Sequence, residues 1–309
     1  VADGQPTTFS SGGPGQNATM TFNGSLDQGI GVIAGGYSGC TTFTLRSPSG
    51  EALWGPNKLC TSLWTGVIIL TETGDWTLEI NPASTVVGDV NVSIYEVAQD
   101  VTVPIPLDGV KQVWPLETPG QNVSFTFEAT QGESVILYAQ KPLTKCIRWG
   151  LQSPTGAVLS ATQKYCQNKT LGVYDITETG TYEVFADPDG GWVGDLSLTG
   201  WLVPDPINAS VLYNGPEVTV DIAVPGQVVN FTTQIPPGTA FSFISHTPFT
   251  ACAEYEVFDG NGVSLYYKAS NCGDIFSPAI TAPAVGPVTI VIDLPGISTG
   301  VIDMLISGP

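Results

Sequence analysis

The strongest constraint on this chain is a cysteine pattern that occurs three times. Cys146 and Cys166 stand ten residues either side of Gly156, which closes the turn sequence Ser153-Pro154-Thr155-Gly156. Apolar-rich arms flank that turn, so it reads as a β-hairpin with one cysteine on each arm. Residues equidistant from such a bend face each other across an antiparallel pair, close enough for a disulfide. Cys40 and Cys60 flank Ser47-Pro48-Ser49-Gly50 in the same way, and Cys252 and Cys272 flank Asp259-Gly260-Asn261-Gly262. The intervals 40 to 146 and 146 to 252 are both 106 residues. Among the possible pairings, this repetition selects Cys40–Cys60, Cys146–Cys166 and Cys252–Cys272. No pair shows the short spacing of a zinc site, and disulfides imply an oxidising, extracellular setting.

The repeat extends well beyond the cysteines. Each copy opens with Pro-Gly-Gln, at Pro14-Gly15-Gln16, Pro119-Gly120-Gln121 and Pro225-Gly226-Gln227. A strand-like alternation follows, in which Val123, Phe125 and Phe127 share one face and Asn122, Ser124 and Thr126 the other. After the hairpin comes the turn Thr71-Glu72-Thr73-Gly74, repeated as Thr177-Glu178-Thr179-Gly180 and reduced in the third copy to Gly286. Each turn launches a β-prone strand beginning at Trp76, Tyr182 or Val288, and a glycine at 88, 194 or 300 precedes a closing strand. No stretch shows sustained helical periodicity. The expected fold is all-β: three tandem antiparallel β-sandwiches, jelly-roll- or immunoglobulin-like, spanning 1–99, 100–204 and 205–309, each with one hairpin disulfide.

This grammar of turns and strands, from Pro-Gly-Gln through the -SPTG- turn and -TGTYEV- to the glycine before the last strand, resembles the pre-peptidase C-terminal family. Those are β-sandwich domains found in tandem on secreted bacterial proteins. The resemblance covers nearly all of each repeat and implies an accessory role in spacing, binding or assembly; in the sequence itself no catalytic constellation accompanies any copy.

Composition narrows the partners. Lys and Arg total 9 against 28 Asp and Glu, a net charge of −19, and such a surface repels phosphate backbones, so no nucleic-acid partner is expected. Charged residues are only 12% of the chain, which leaves Ser, Thr, Asn, Gln and Gly to cover the solvent faces. No apolar run approaches the ~20 residues of a membrane helix. The chain starts at Val1, as a processed secreted protein would.

Asn-X-Ser/Thr sequons stand at Asn17, Asn23, Asn91, Asn122, Asn168, Asn208 and Asn230, and Asn17, Asn91, Asn122 and Asn230 fall on outward faces of the alternation. His246, the single histidine, has neither base nor nucleophile partner in sequence and reads as structural. The loop from Asp187 to Asp195 has the composition of a Ca²⁺ loop, but its counterparts keep few acids, so a plain turn is expected and no metal or cofactor. Trp76 aligns with core positions, whereas Trp54, Trp64 and Trp192 are the tryptophans expected at the surface, where they could stack on sugars. No GxSxG or other nucleophile motif occurs.

Linker strands precede the second repeat, at Val101–Leu107, and the third, at Ile207–Tyr213, but only two linkers serve three repeats. Either the first repeat lacks its leading strand or the last lacks a trailing one, and a vacant position invites a strand from another chain. Thr7-Thr8-Phe9-Ser10 within Val1–Gly13 has the β propensity to pair with a neighbour; the competing expectation is that it folds back on its own repeat, as Lys111–Leu116 would. The functional expectation is a non-enzymatic, secreted structural protein whose partners are copies of itself, assembled into filaments or a surface array by strand sharing. The alternative is a carbohydrate-binding or adhesive module, with glycans as partners.

Overall fold

A computed structural model of the chain describes residues 2–36, 39–83, 85–140, 146–246, 252–282 and 286–308. All its regular elements are strands. The first repeat comprises β1 (Thr7–Ser11), β2 (Ala18–Gly24), β3 (Gly29–Gly35), β4 (Thr41–Arg46), β5 (Ala52–Leu59), β6 (Leu63–Trp64), β7 (Ile68–Ile69), β8 (Gly74–Pro82) and β9 (Gly88–Glu96). The second runs through β10 (Val101–Pro104), β11 (Gln112–Leu116), β12 (Val123–Ala129), β13 (Ser134–Gln140), β14 (Ile147–Gln152), β15 (Val158–Tyr165), β16 (Lys169–Asp175), β17 (Gly180–Pro188) and β18 (Gly194–Val203). The third holds β19 (Ile207–Ser210), β20 (Val218–Ile222), β21 (Val229–Thr233), β22 (Ala240–His246), β23 (Cys252–Phe258), β24 (Ser264–Cys272), β25 (Ile275–Phe276), β26 (Ile280–Thr281), β27 (Val288–Asp293) and β28 (Gly300–Ser307). No helix among the described residues is long and apolar enough to cross a membrane.

Each repeat folds as two facing sheets. In the second they are β10-β12-β17-β14-β15 and β11-β18-β13-β16, and the third repeats this order. The period-2 alternation does what it implies: β12 reads buried, half-buried, buried along Val123 to Ala129, and its inward residues meet those of β17, with the Phe127 and Tyr182 rings stacked at 5.4 Å. Three separate clusters of buried side chains result, one per repeat. Trp76, Tyr182 and Val288 occupy the same inward slot in each.

The three disulfides form as the spacing selects, each closing a separation of 20 residues. Cys252 and Cys272 face each other directly in register. The hairpins are less regular than equidistance implies. Between the disulfide and the tip, two register shifts add residues to the second arm: Thr42 faces Lys58, but Arg46 faces Ala52. The same shifts recur in the other copies, because the bulges coil each hairpin against its sheet. The Thr-Glu-Thr-Gly motif holds the hairpin tip. Glu72 accepts from the Ser49 backbone N–H (3.1 Å) and hydroxyl (2.6 Å), and Glu178 accepts from Thr155 Oγ1 at 2.9 Å. The serine hydrogen bonds hold the Glu72 carboxyl below its ordinary range. The third repeat has no such glutamate; there Asp259 caps its own turn, accepting from the N–H groups of Asn261 (2.9 Å) and Val263 (2.8 Å).

The chain's start resolves one open question. β1 pairs antiparallel with β9, Thr7 opposite Val92 through Ser11 opposite Gly88, as β11 pairs with β18 and β20 with β28. Residues 7–11 therefore complete their own repeat, which corrects the expectation that they reach a neighbour; Val1 lies outside the described residues.

A candidate strand-acceptor site

The two linkers cross between repeats as strands of the repeat that follows. β10 lies parallel to β12, Val101 opposite Val123 through Pro104 opposite Thr126, and β19 lies parallel to β21 in the same register. The glutamine of Pro-Gly-Gln secures each one: Gln121 Nε2 donates to the Gln99 carbonyl, and Gln227 Nε2 to the Asp205 carbonyl, both at 2.9 Å. Both glutamines are thereby buried. The linkers also bring apolar cover, Val101 and Val103 on the second core, Ile207 and Ala209 on the third.

The first repeat carries the same receiving parts, and among the described residues no strand lies on them. Among the described residues its sheet is β2-β8-β4-β5, one strand shorter than its counterparts, with β2 at the edge. Val123, Phe125, Val229 and Phe231 are all 0% exposed under their linkers, whereas their counterparts Ala18 and Met20 are only partly buried. Beside them opens a groove of about 170 Å³ lined by Phe9, Gln16, Ala18, Ile80, Pro82 and Val90, among others. Gln16 is exposed; its Oε1 accepts from the Gly12 N–H at 3.0 Å, as Gln121 Oε1 accepts from Glu117, and its amide nitrogen has no linker carbonyl to meet. An unpaired backbone edge, an apolar groove and a free amide donor are what an incoming parallel strand needs.

The other residues singled out in the sequence fall as follows. Asn17, Asn23, Asn91, Asn168 and Asn208 are exposed, with Asn17 on the rim of the groove. Asn122 and Asn230 are half-buried, because the linkers lie alongside them: Asn122 Nδ2 donates to Asp100 (3.1 Å) and Asn230 Nδ2 to Asn208 Oδ1 (3.0 Å). Alternation alone marked both as outward and missed the added strand. In the Asp187–Asp195 loop, Asp189 is bridged by Lys164 at 2.5 Å and Arg148 at 3.1 Å, and Arg148 also reaches Asp187 at 3.5 Å. Its leading carboxylates are thus engaged by the protein's own cations. His246 Nδ1 lies 2.9 Å from Asp274, whose hydrogen bond raises the imidazole's pKa; its ring meets Phe276 edge-on.

The tryptophan expectation is corrected. Trp54, Trp64 and Trp192 are all half-buried: Trp54 packs on the first core, Trp192 on the second, and Trp64 lies against the second repeat. None of the three stands exposed at the surface.

No family model matches the chain, and no curated protein does. Among solved structures, similarity was found to the CUB1-EGF-CUB2 portion of human MASP-1/3, at 9% identity over 63% of this chain and 99% of that one, with a TM-score of 0.22. Tripeptidyl peptidase 2 is matched at 8% identity over 93% of this chain and 33% of that one, TM-score 0.20. A chain of the lipid-containing bacteriophage PM2 is matched at 11% identity over 98% and 86%, TM-score 0.19. Likeness at this level carries no functional inference.

Proposed function

We propose that this protein is a non-enzymatic structural subunit of an extracellular assembly whose copies share strands, the open edge of β2 receiving a strand from a neighbouring copy. One observation carries this reading: the first repeat keeps the full receiving apparatus, Gln16, the apolar groove and the free β2 edge, which the second and third repeats use to hold β10 and β19. The donated strand runs parallel to β2, placing alternate apolar side chains over Ala18 and Met20. Three disulfides support a secreted location, and the reading agrees with the accessory role that resemblance to the pre-peptidase C-terminal family implies.

The test uses the chain's own linker as competitor. Filaments should appear in electron micrographs of the concentrated protein. A synthetic peptide of residues 99–107 should shorten them and protect the β2 amides from hydrogen exchange. Native protein that stays monomeric at high concentration, with β2 already protected by a preceding segment of its own chain, overturns the proposal.

The carbohydrate-binding alternative has one foothold, a cleft of about 430 Å³ between the first two repeats lined by Ser62, Trp64, Asp189 and Trp192. Aromatic walls beside polar groups suit a sugar. Binding on a glycan array, abolished by Trp192→Ala, would favour it.

A further inference from the structure

The contacts between consecutive repeats are themselves repeated. A Cβ placed on Gly120, in the second repeat's Pro-Gly-Gln turn, would lie 2.9 Å from Val67 Cγ2 and 3.3 Å from Trp64 Cζ2 of the first repeat. A Cβ on Gly191 would lie 2.5 Å from Ile33 Cδ1 and 3.2 Å from Trp64 Cε3. At the next junction, Gly226 stands in the same relation to Val173 (3.3 Å), and a Cβ on Gly296, in the loop that matches Gly190–Val193, would lie 3.3 Å from Thr170 Oγ1. Trp64, Thr170 and Phe276 are structural equivalents, since each faces the fifth residue of the same strand: Ile33 in β3, Tyr138 in β13 and Ile244 in β22.

Among the described residues two faces of this series are left uncovered, one on the third repeat and one on the first. Phe276 is 68% exposed, although its equivalents Trp64 and Thr170 are half-buried against the repeat that follows. At the other end, Gly15 heads the first Pro-Gly-Gln turn with φ +75°, close to the +91° and +79° of Gly120 and Gly226, yet nothing lies within 4 Å of a Cβ placed on it. A face that fits another inside one chain fits the same face on a second copy, and because the two faces differ, the contact is heterologous and propagates head to tail.

We propose that the third repeat of one molecule docks end-on against the first repeat of the next through the contact that joins consecutive repeats, with Phe276 laid on the Gly15 turn as Trp64 lies on the Gly120 turn. This rests on the strand-sharing reading for its partner, a second copy, and supplies the end-to-end geometry that a shared strand alone does not specify. The filament then continues the repeat-to-repeat step across molecular boundaries, so that its axial period is one repeat as well as one subunit.

Introduced cysteines test it in the full chain, because the described cysteines are all disulfide-bonded and new thiols find only each other. Ala279 precedes β26 as Val67 precedes β7. The pair Ala279→Cys with Gly15→Cys should give a ladder of reducible multimers on non-reducing gels, while Val67→Cys with Gly120→Cys should give an internal link only. Phe276→Asp, at an exposed position that does not endanger folding, should raise the concentration needed for assembly at least tenfold. Filaments that form without the ladder, and equally well with Phe276→Asp, overturn end-face docking and leave strand sharing standing. Wild-type protein that never assembles overturns both.

Discussion

Glu254 and Asp293 face each other directly across β23 and β27, in a slot that the second repeat fills with Arg148 and Asp187 and the first with Thr42 and Asn81. Burial, then the Glu254 charge, raises the Asp293 pKa. A carboxyl raised in the fold favours folding when protonated, so this contribution is complete below the ordinary carboxylate value and is lost as pH rises through the raised one. Asp293→Asn should therefore stabilise the third repeat at neutral pH, by no more than about 0.3 kcal/mol because solvent screens this exposed cross-strand pair, with the gain vanishing near pH 3. Thermal melts at the two pH values check this; a gain that persists in acid would point to something other than charge. The sequons obey the same local logic. Asn23, Asn91 and Asn168 are exposed, whereas Asn122 and Asn230 sit beside linker strands. Peptide mass spectrometry of native material should find the first three modified ahead of the other two, with an intact mass above 32.4 kDa. Equal occupancy at Asn122 would mean that modification precedes docking of β10.

At the scale of elements, the hairpins carry most of what was legible in the sequence. Two cysteines symmetrical about a turn constrain the pairing of both arms, and apolar alternation assigns each arm a face, so the disulfides and core strands follow from local patterns. The parallel pairing of β10 with β12 was not legible. It joins residues some twenty positions apart through backbone groups that any side chain carries, so only the repeated Gln121 and Gln227 hinted at it. The bulges were hidden too: Phe258 faces Ser264, so the bend lies one residue ahead of the cysteines' midpoint, and the two residues added to the second arm bring Cys252 and Cys272 opposite each other. The separate cores make a sharp expectation possible. Replacing Cys146 and Cys166 by alanine should cost about 3 kcal/mol, the loop-closure value for some twenty residues. Calorimetry should show one of three transitions moving down, by roughly 10 °C or more. If all three shift together, the repeats do not unfold independently.

For the whole molecule, a charge of −19 sets copies against each other. The contacts proposed to join them, backbone pairing, an apolar groove and Phe276 on a glycine turn, involve no ion pairs. Screening shortens the Debye length from ~30 Å at 0.01 M salt to ~3 Å at 1 M. Light scattering should accordingly show assembly at lower protein concentration as salt is raised. Assembly that dissolves in salt would instead require charge complementarity between subunits.

The linkers also decide how the chain bears a pull. Tension between the first and second repeats reaches β10 and draws it along its own axis, past β12. The hydrogen bonds from Val101 to Pro104 then share the load in shear, rather than opening one after another as a peeled edge would. The hairpins lie off this path, and each disulfide keeps its 20-residue loop from paying out after a repeat gives way. In single-molecule stretching, reduction should lengthen each repeat's release by about 70 Å, the span of twenty extended residues. The staples are thus limiters of extension, and the linker strands are the tensile joints.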